Sequence, residues 1–194
     1  MDTRLQQQIQ FVMETDRLKQ VIRRNYNADS GRLENTAEHS WQITLMALTL
    51  AEHSDEAIDT SKVMRMLLLH DLVEIDAGDT YLYSDDNTGE KEKKEKAAAR
   101  RIFGMLPENQ RVEYQQLWDE FEAKKSPESR FAKAIDRLMP ILNNFHSGGR
   151  SWKENGITRE QVISKCKEIG LGSEKLWEFA QELINKAKEK GYLL

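Results

Sequence analysis

One cysteine, Cys166, occurs among 194 residues. It has no partner for an intramolecular disulfide, and no other thiol can join it in a cysteine-rich zinc site. A reducing compartment suits such a chain. Prolines number only three and glycines ten, so few breaks interrupt the periodic segments. No run approaches the roughly 18 apolar residues of a membrane span. The first eleven residues are polar and lack the apolar core of a secretory signal. These features point to a cytoplasmic protein with no membrane partner. A basic excess is also missing: the formal net charge is −4. The electrostatic footprint of a nucleic-acid polymer binder is therefore absent, although a local Arg or Lys can still hold the phosphate of a small molecule.

Hydrophobic residues make up 39% and charged residues 32% of the chain. The apolar residues recur at helical spacing and no stretch alternates as a strand, which predicts an all-α fold. The length suits one domain, residues 1–194, with a core at about 18–156 and C-terminal helices at about 157–192 packed on it. The first helix is expected from Asp2 to Arg24, with Ile9, Val12, Met13 and Leu18 on its buried side. A second follows Asn35 and carries His39, and a third starts after Thr60 as N-cap and runs just past His70. A turn is expected at Ala77-Gly78-Asp79. A charged helix should span about Thr88 to Met105, its Glu90–Lys96 run forming a solvated face. Pro107 opens the next helix, and Ser126-Pro127 the one after. Thr158 with Gln161 forms a capping-box pattern, and the last helix begins after Ser173.

Four histidines occur: His39, His53, His70 and His146. His70 is followed by Asp71 after an apolar run, His39 opens an apolar-faced helix, and a distant helix supplies Asp136. Imidazole nitrogen and carboxylate oxygen together suit one divalent ion: Mn, Co, Fe, Ni, Zn or Mg. Four protein ligands on a six-coordinate ion leave room for water and a phosphoryl oxygen, the minimum for metal-assisted hydrolysis. Neighbouring residues on a helix point about 100° apart, so His70 and Asp71 share an ion only if it sits in the wedge between them, near a helix end. Glu74 follows His70 by four residues and shares its face, where it can move a proton. Asp79 lies just past the turn, within reach of the same cavity. Pro140 should kink its helix four residues after Asp136. His53 reads as a helix-end residue, and so does His146, although its Ser-Gly-Gly-Arg surroundings could border a pocket. Tyr81 and Tyr83 could pack in the core or close over a base. The four tryptophans, Trp41, Trp118, Trp152 and Trp177, read as core or interface.

A His, then a His-Asp pair, then an Asp on a later helix is the order of the metal motif in HD-domain phosphohydrolases, and the chain resembles that family. The surrounding residues resemble its YfbR-like 5′-nucleotidase branch: Leu18-Lys19 with Arg23, Glu34-Asn35 with Glu38-His39-Ser40, and His70 to Asp79 followed by Thr80-Tyr81-Leu82-Tyr83. Ile102 to Pro107 and Ala134 to Leu138 match as well, so the likeness covers about Leu18 to Gly156. It implies a homodimer that hydrolyses a small phosphorylated substrate, most simply a (deoxy)nucleoside 5′-monophosphate. Another phosphate ester, a nucleoside triphosphate, or non-catalytic nucleotide binding are the alternatives. In this likeness His39, His70, Asp71 and Asp136 are metal ligands and Glu74 is the acid/base. Asp79 lines the nucleotide pocket at the catalytic centre, and Arg23 grips the phosphate, with Arg24 beside it as the other choice. Deoxyribonucleotide-specific members carry a bulky aromatic after that arginine, whereas Arg24-Asn25 stands here. Glu74 is followed by Ile75 rather than Asp, unlike alarmone hydrolases. No histidine lies between residues 72 and 135, unlike dinuclear HD phosphodiesterases.

Overall fold

In the computed structural model, residues 2–29, 31–84 and 88–194 are described. The chain is predominantly helical. Helix α1 (Thr3–Thr15) leads through a 3₁₀ turn (Asp16–Gln20) into a short antiparallel hairpin of β1 (Ile22–Tyr26) and β2 (Leu33–Asn35). Then come α2 (Thr36–Leu50), α3 (Thr60–Leu69), a 3₁₀ turn (His70–Val73) and α4 (Glu74–Ala77). Helices α5 (Thr88–Phe103), α6 (Glu108–Ala123), α7 (Pro127–His146), α8 (Arg150–Glu154), α9 (Arg159–Cys166) and α10 (Glu174–Glu189) complete the fold.

Local chemistry starts most of these helices. Asn35 caps α2 by accepting from the Glu38 N–H, and Glu38 returns the bond to the Asn35 N–H, a capping box. Ser126 accepts from the Ser129 N–H ahead of Pro127, which fits the first helical position because its missing N–H is one the helix cannot use there. The Thr158–Gln161 box forms as expected, and Ser173 caps α10. The cap of α3 is Asp59, one residue before Thr60, accepting from the Lys62 N–H.

Helix α7 forms the centre. It packs on α2, α3, α6 and α10 and on the 3₁₀ turn Lys167–Leu171. Phe131, Ala132, Ala134 and Ile135 are fully buried along it. The helix continues through Pro140 to His146 without a break. Gly172 lets the chain after the 3₁₀ turn press on α7: a Cβ there would lie 2.5 Å from the Arg130 carbonyl oxygen.

The N-terminus differs from the sequence expectation. One helix to Arg24 gives way to a helix ending at Thr15, a 3₁₀ turn and a strand. Phe11 and Leu18 enter the core, but Ile9, Val12 and Met13 are 54%, 58% and 64% exposed. Their spacing does mark one helix face, yet no packed element among the described residues covers it. Trp118 and Trp152 are buried, Trp177 packs partly against the core, and Trp41 is 64% exposed on α2.

Candidate metal centre

The hairpin delivers the first two groups. In β1 the side chains alternate, so Arg23 and Asn25 face inward while Ile22 and Arg24 face solvent. Arg24 lies over the Tyr81 ring, 5.2 Å from its centroid. Arg23 is the arginine that enters the centre. Glu34 on β2 is 1% exposed, and its Oε2 lies 3.2 Å from Arg23 Nε. His39 follows from the first turn of α2. His70 and Asp71 come from the 3₁₀ turn that ends α3, and Glu74 opens α4. Gly78 ends α4 at φ 78°, a left-handed conformation easy only for glycine, and the chain turns there so that Asp79 approaches Arg23. Asp136 comes from the middle of α7.

Ligating atoms of His39, His70 and Asp136 all lie within 4.8 Å of one another, and all three residues are buried. His39 Nε2 is 3.3 Å from Asp136 Oδ1, and His70 Nε2 is 3.8 Å from the same oxygen. Asp71, expected from the sequence as a fourth ligand, is outside that group of three and stands beside it, with Oδ1 2.9 Å from His70 Nε2. The ring orientations are chemically informative. His70 Nδ1 is 2.9 Å from the Leu67 carbonyl oxygen. A carbonyl only accepts, so Nδ1 carries a proton and Nε2 is the atom turned to the cluster, its lone pair available to a cation that displaces the second proton. That Nε2 is buried without a hydrogen-bond partner. His39 repeats the arrangement, with Nδ1 facing Glu34 Oε2 at 3.3 Å and Nε2 facing Asp136. Two lone pairs and two carboxylates converging on one locus fit a divalent cation.

The local electrostatics agree. Burial alone would lower His70, but Asp71 and Asp136 overcome it and hold the ring up at about 10. His39 is likewise raised: burial and Arg23 oppose, while Asp136 and Glu34 prevail. Burial pushes against ionised Asp71 and Asp136, yet His70 holds the first low, and Lys133 with both histidines holds the second well below the usual carboxylate range. The locus attracts positive charge. Glu74 goes the other way: burial, then the charge of Asp71, lifts it well above the ordinary value. Thr36 Oγ1 donates to its Oε2 at 2.9 Å. Asp79 is raised for the same reasons, with Arg23 opposing.

Arg23 is the hub of the carboxylates. Its Nη1 lies 3.2 Å from Asp71 Oδ2, 3.4 Å from Asp79 Oδ1 and 4.0 Å from Glu74 Oε1. These groups face a cleft of about 220 Å³ that Lys91, Glu95 and Lys133 also line. The Glu90–Lys96 run is therefore not uniformly a solvated face, because its Lys91–Glu95 side reaches the cleft. A smaller pocket of about 50 Å³ adjoins, and Arg23, Asp79 and Asp136 line both; Arg24, Asn25, Tyr81, Tyr83 and Asn144 are among its other lining residues. Tyr81 and Tyr83 meet edge to face at 5.3 Å.

His53 and His146 stand apart from the cluster. The His53 carbonyl accepts from Ser173 Oγ at 2.6 Å, and His146 is exposed at the end of α7. Sequence reasoning gave no role to Lys133, whose Nζ donates to Asp136 Oδ2 at 2.8 Å. Its spacing of three residues from Asp136 on one helix was the available signal. Glu34, Thr36 and Asn143 were also missed, because their places follow from the hairpin and from tertiary packing.

The family model described as HD domain matches residues 15–177. The chain belongs to the HD-domain family. HD-domain phosphohydrolases use divalent metal ions. Among characterised relatives, the protein named 5′-deoxynucleotidase HDDC2 from Danio rerio is 31% identical over 135 residues, 69% of this chain and 66% of the relative. Its Homo sapiens counterpart is 30% identical over 69% of this chain and 65% of its own length. The match thus spans just under two thirds of these relatives. Among solved structures, a predicted metal-dependent phosphohydrolase from Magnetospirillum magnetotacticum MS-1 superposes with a TM-score of 0.93 at 47% identity, covering 99% of each chain. The HD domain-containing protein YGK1, at 17% identity and a TM-score of 0.61, shares the fold.

Proposed function

We propose that the chain is a metal-dependent phosphomonoesterase releasing phosphate from nucleoside 5′-monophosphates, and that residues 1–194 act as a single HD domain. The observation carrying this is the pair of buried histidines, each turning Nε2 toward Asp136, with His70 Nδ1 bonded to the Leu67 carbonyl and His39 Nδ1 facing Glu34, beside a buried arginine. The relatives in Danio rerio and Homo sapiens, named as 5′-deoxynucleotidases, support the substrate class.

His39, His70, Asp71 and Asp136 would hold the cation. Bound there, a divalent ion supplies Lewis-acid polarisation of the phosphoryl group and activation of water. Arg23 offsets the charge of the incoming phosphate from a side chain already fixed by its carboxylate partners, so little entropy is lost on binding. Glu74 is held well above the usual carboxylate range by burial and then by the charge of Asp71. Its Oε2 is occupied by Thr36, so Oε1 is the atom that gives the proton to the departing 5′-oxygen or takes one from water. Asp79 shares Arg23 and borders the smaller pocket, where it orients the nucleoside.

The test is phosphate release from a panel of ribo- and deoxyribonucleoside 5′-monophosphates after loading with Mn²⁺, Co²⁺, Mg²⁺ or Zn²⁺. Metal-dependent release that disappears in His70→Ala supports the assignment. Metal-loaded protein that releases no phosphate from any of them overturns it.

The active form is a cytoplasmic homodimer. Support comes from the exposed stripes Leu5, Ile9 and Val12 on α1 and Trp41, Leu45 and Leu48 on α2, apolar faces that a second copy would cover. No described helix is long and apolar enough to cross a membrane. Light scattering that returns a monomer mass at micromolar concentration would refute the dimer.

A further inference from the structure

Four buried polar atoms at the centre lack a hydrogen bond of good geometry: Arg23 Nε, Glu34 Oε2, His39 Nδ1 and His70 Nε2. Three of them meet at one place. Glu34 Oε2 stands 3.3 Å from His39 Nδ1 and 3.2 Å from Arg23 Nε. The other carboxylate oxygen, Oε1, accepts from Asn143 Nδ2 at 3.1 Å, tying Glu34 to α7 about two helical turns beyond Asp136. A carboxylate that is 1% exposed costs several kcal/mol to desolvate unless paired, so this one is retained for what its partners do.

We infer that Glu34 is a positioning residue that couples the metal centre to the phosphate grip through one carboxylate. Toward His39, it fixes the proton on Nδ1 and leaves the Nε2 lone pair directed at Asp136. A carboxylate behind a ligating imidazole orients the ring and raises its basicity, and losing such a partner weakens metal binding by about 10–100-fold. Toward Arg23, it holds the Nε edge of the guanidinium and leaves the Nη1 edge facing Asp71, Asp79 and the cleft. Both partners sit on the same oxygen, so a change at Glu34 alters both functions together. Thr36 and Glu74 do not share this oxygen: Thr36 Oγ1 donates to Glu74 Oε2, and Glu74 meets Arg23 at Nη1 rather than Nε. The inference rests on the proposed metal and phosphate roles of His39 and Arg23.

The test is Glu34→Gln, which keeps the shape and removes the charge. A side-chain amide has one acceptor oxygen, so it satisfies either His39 and Arg23 or Asn143, and not all three. Two probes are read without any nucleotide. Co²⁺ alone, titrated by its visible absorption and by metal analysis, reports the His39 arm. Inorganic phosphate, titrated onto the Co²⁺-saturated protein, reports the Arg23 arm. Both affinities should fall by about tenfold or more, while circular dichroism and the protein's mass in solution stay those of the parent. If Glu34→Gln does not fold, Glu34→Asp takes its place; its shorter reach preserves the charge and should weaken both affinities to a smaller degree. A folded variant that keeps either affinity within twofold of the parent overturns the coupling. Parent protein that binds Co²⁺ and phosphate yet hydrolyses no nucleoside monophosphate would sink the proposed function and leave this inference standing.

Discussion

Arg23→Met is the most informative single perturbation of the centre. Arg23 is 11% exposed at its side chain and lies within 4.0 Å of carboxylate oxygens from Glu34, Asp71, Glu74 and Asp79. Methionine preserves much of the volume and removes the one cation that these four share among the described residues. Asp71 keeps His70, and Glu34 keeps His39 and Asn143, so Asp79 and Glu74 lose most. Removing one partner of a buried ion pair costs about 3–5 kcal/mol; protonation of the two most affected carboxyls keeps this case near the lower end, about 3 kcal/mol. At about 2–4 °C per kcal/mol for a domain of this length, the melting temperature should drop by about 6–12 °C at neutral pH. The pH dependence has a definite sign. Glu74 and Asp79 are already raised by burial and by Asp71, and the variant raises them further. A carboxyl with a raised value binds its proton more tightly when folded, so stability is lost as pH rises from the ordinary carboxylate range through the folded value. The deficit of Arg23→Met should therefore be largest near pH 8 and shrink toward pH 5. Melting curves of the chelator-treated protein across that range decide it. A melting temperature within 2 °C of the parent at pH 8, or a deficit that grows on acidification, refutes the assignment of Arg23 as the shared counter-charge.

Three further outcomes are expected. Glu38 is held at about 2 by Arg32, then by the Asn35 N–H, against the opposing effect of burial. Glu38→Gln should cost about 1–2 kcal/mol at pH 7 after allowance for solvent screening, an effect that fades as pH falls from about 4 toward 2; urea midpoints at pH 7 and pH 3 should show the difference between parent and variant closing. Gly172→Ala places a Cβ 2.5 Å from the Arg130 carbonyl oxygen and 2.8 Å from Phe131 Cα, and since backbone must move, a loss of about 1–3 kcal/mol should appear in the denaturant midpoint. Cys166 is 1% exposed and burial lifts its thiol to about 12, so iodoacetamide should label it slowly in the native state and rapidly in guanidinium; fast native labelling would contradict its burial.

How much of this was legible in the sequence depends on which force fixed each part. Caps are local, so Asn35, Ser126, Thr158 and Ser173 could be placed from side-chain chemistry and short spacing. The helices of the core follow apolar periodicity, and Phe131, Ile135 and Leu138 lie where it puts them. The hairpin was invisible for a physical reason. In Ile22–Tyr26 the inward positions are Arg23 and Asn25, held by carboxylates and amides rather than by a core, so alternation is present without an apolar signature. The same alternation separates Arg23 from Arg24, a choice that residue type alone left open. The exposed face of α1 was misplaced for the opposite reason: Ile9, Val12 and Met13 carry the apolar signature, but periodicity says only that a face wants cover, not which chain provides it.

The step from motif to centre lies in how α3 ends. In a continuous α-helix, His70 and Asp71 would diverge by about 100°. Here the α-helix stops at Leu69 and the chain tightens into a 3₁₀ turn over His70–Val73. Poorer hydrogen-bond geometry is the cost of that turn, and it is offset by side-chain contacts: His70 Nδ1 reaches back to the Leu67 carbonyl of α3, and from α6 Trp118 Nε1 donates to the His70 carbonyl at 3.2 Å and the Phe121 ring packs on the His70 ring at 4.7 Å. The turn therefore exists because α6 packs against it. That arrangement brings Asp71 Oδ1 to within 2.9 Å of His70 Nε2 and leaves Glu74 to open α4 toward Arg23. Adjacent residues can then address one locus, and Glu74, three residues on, can face the same cleft. The sequence carries the residue types in order. The irregular turn, supported from α6, makes them converge.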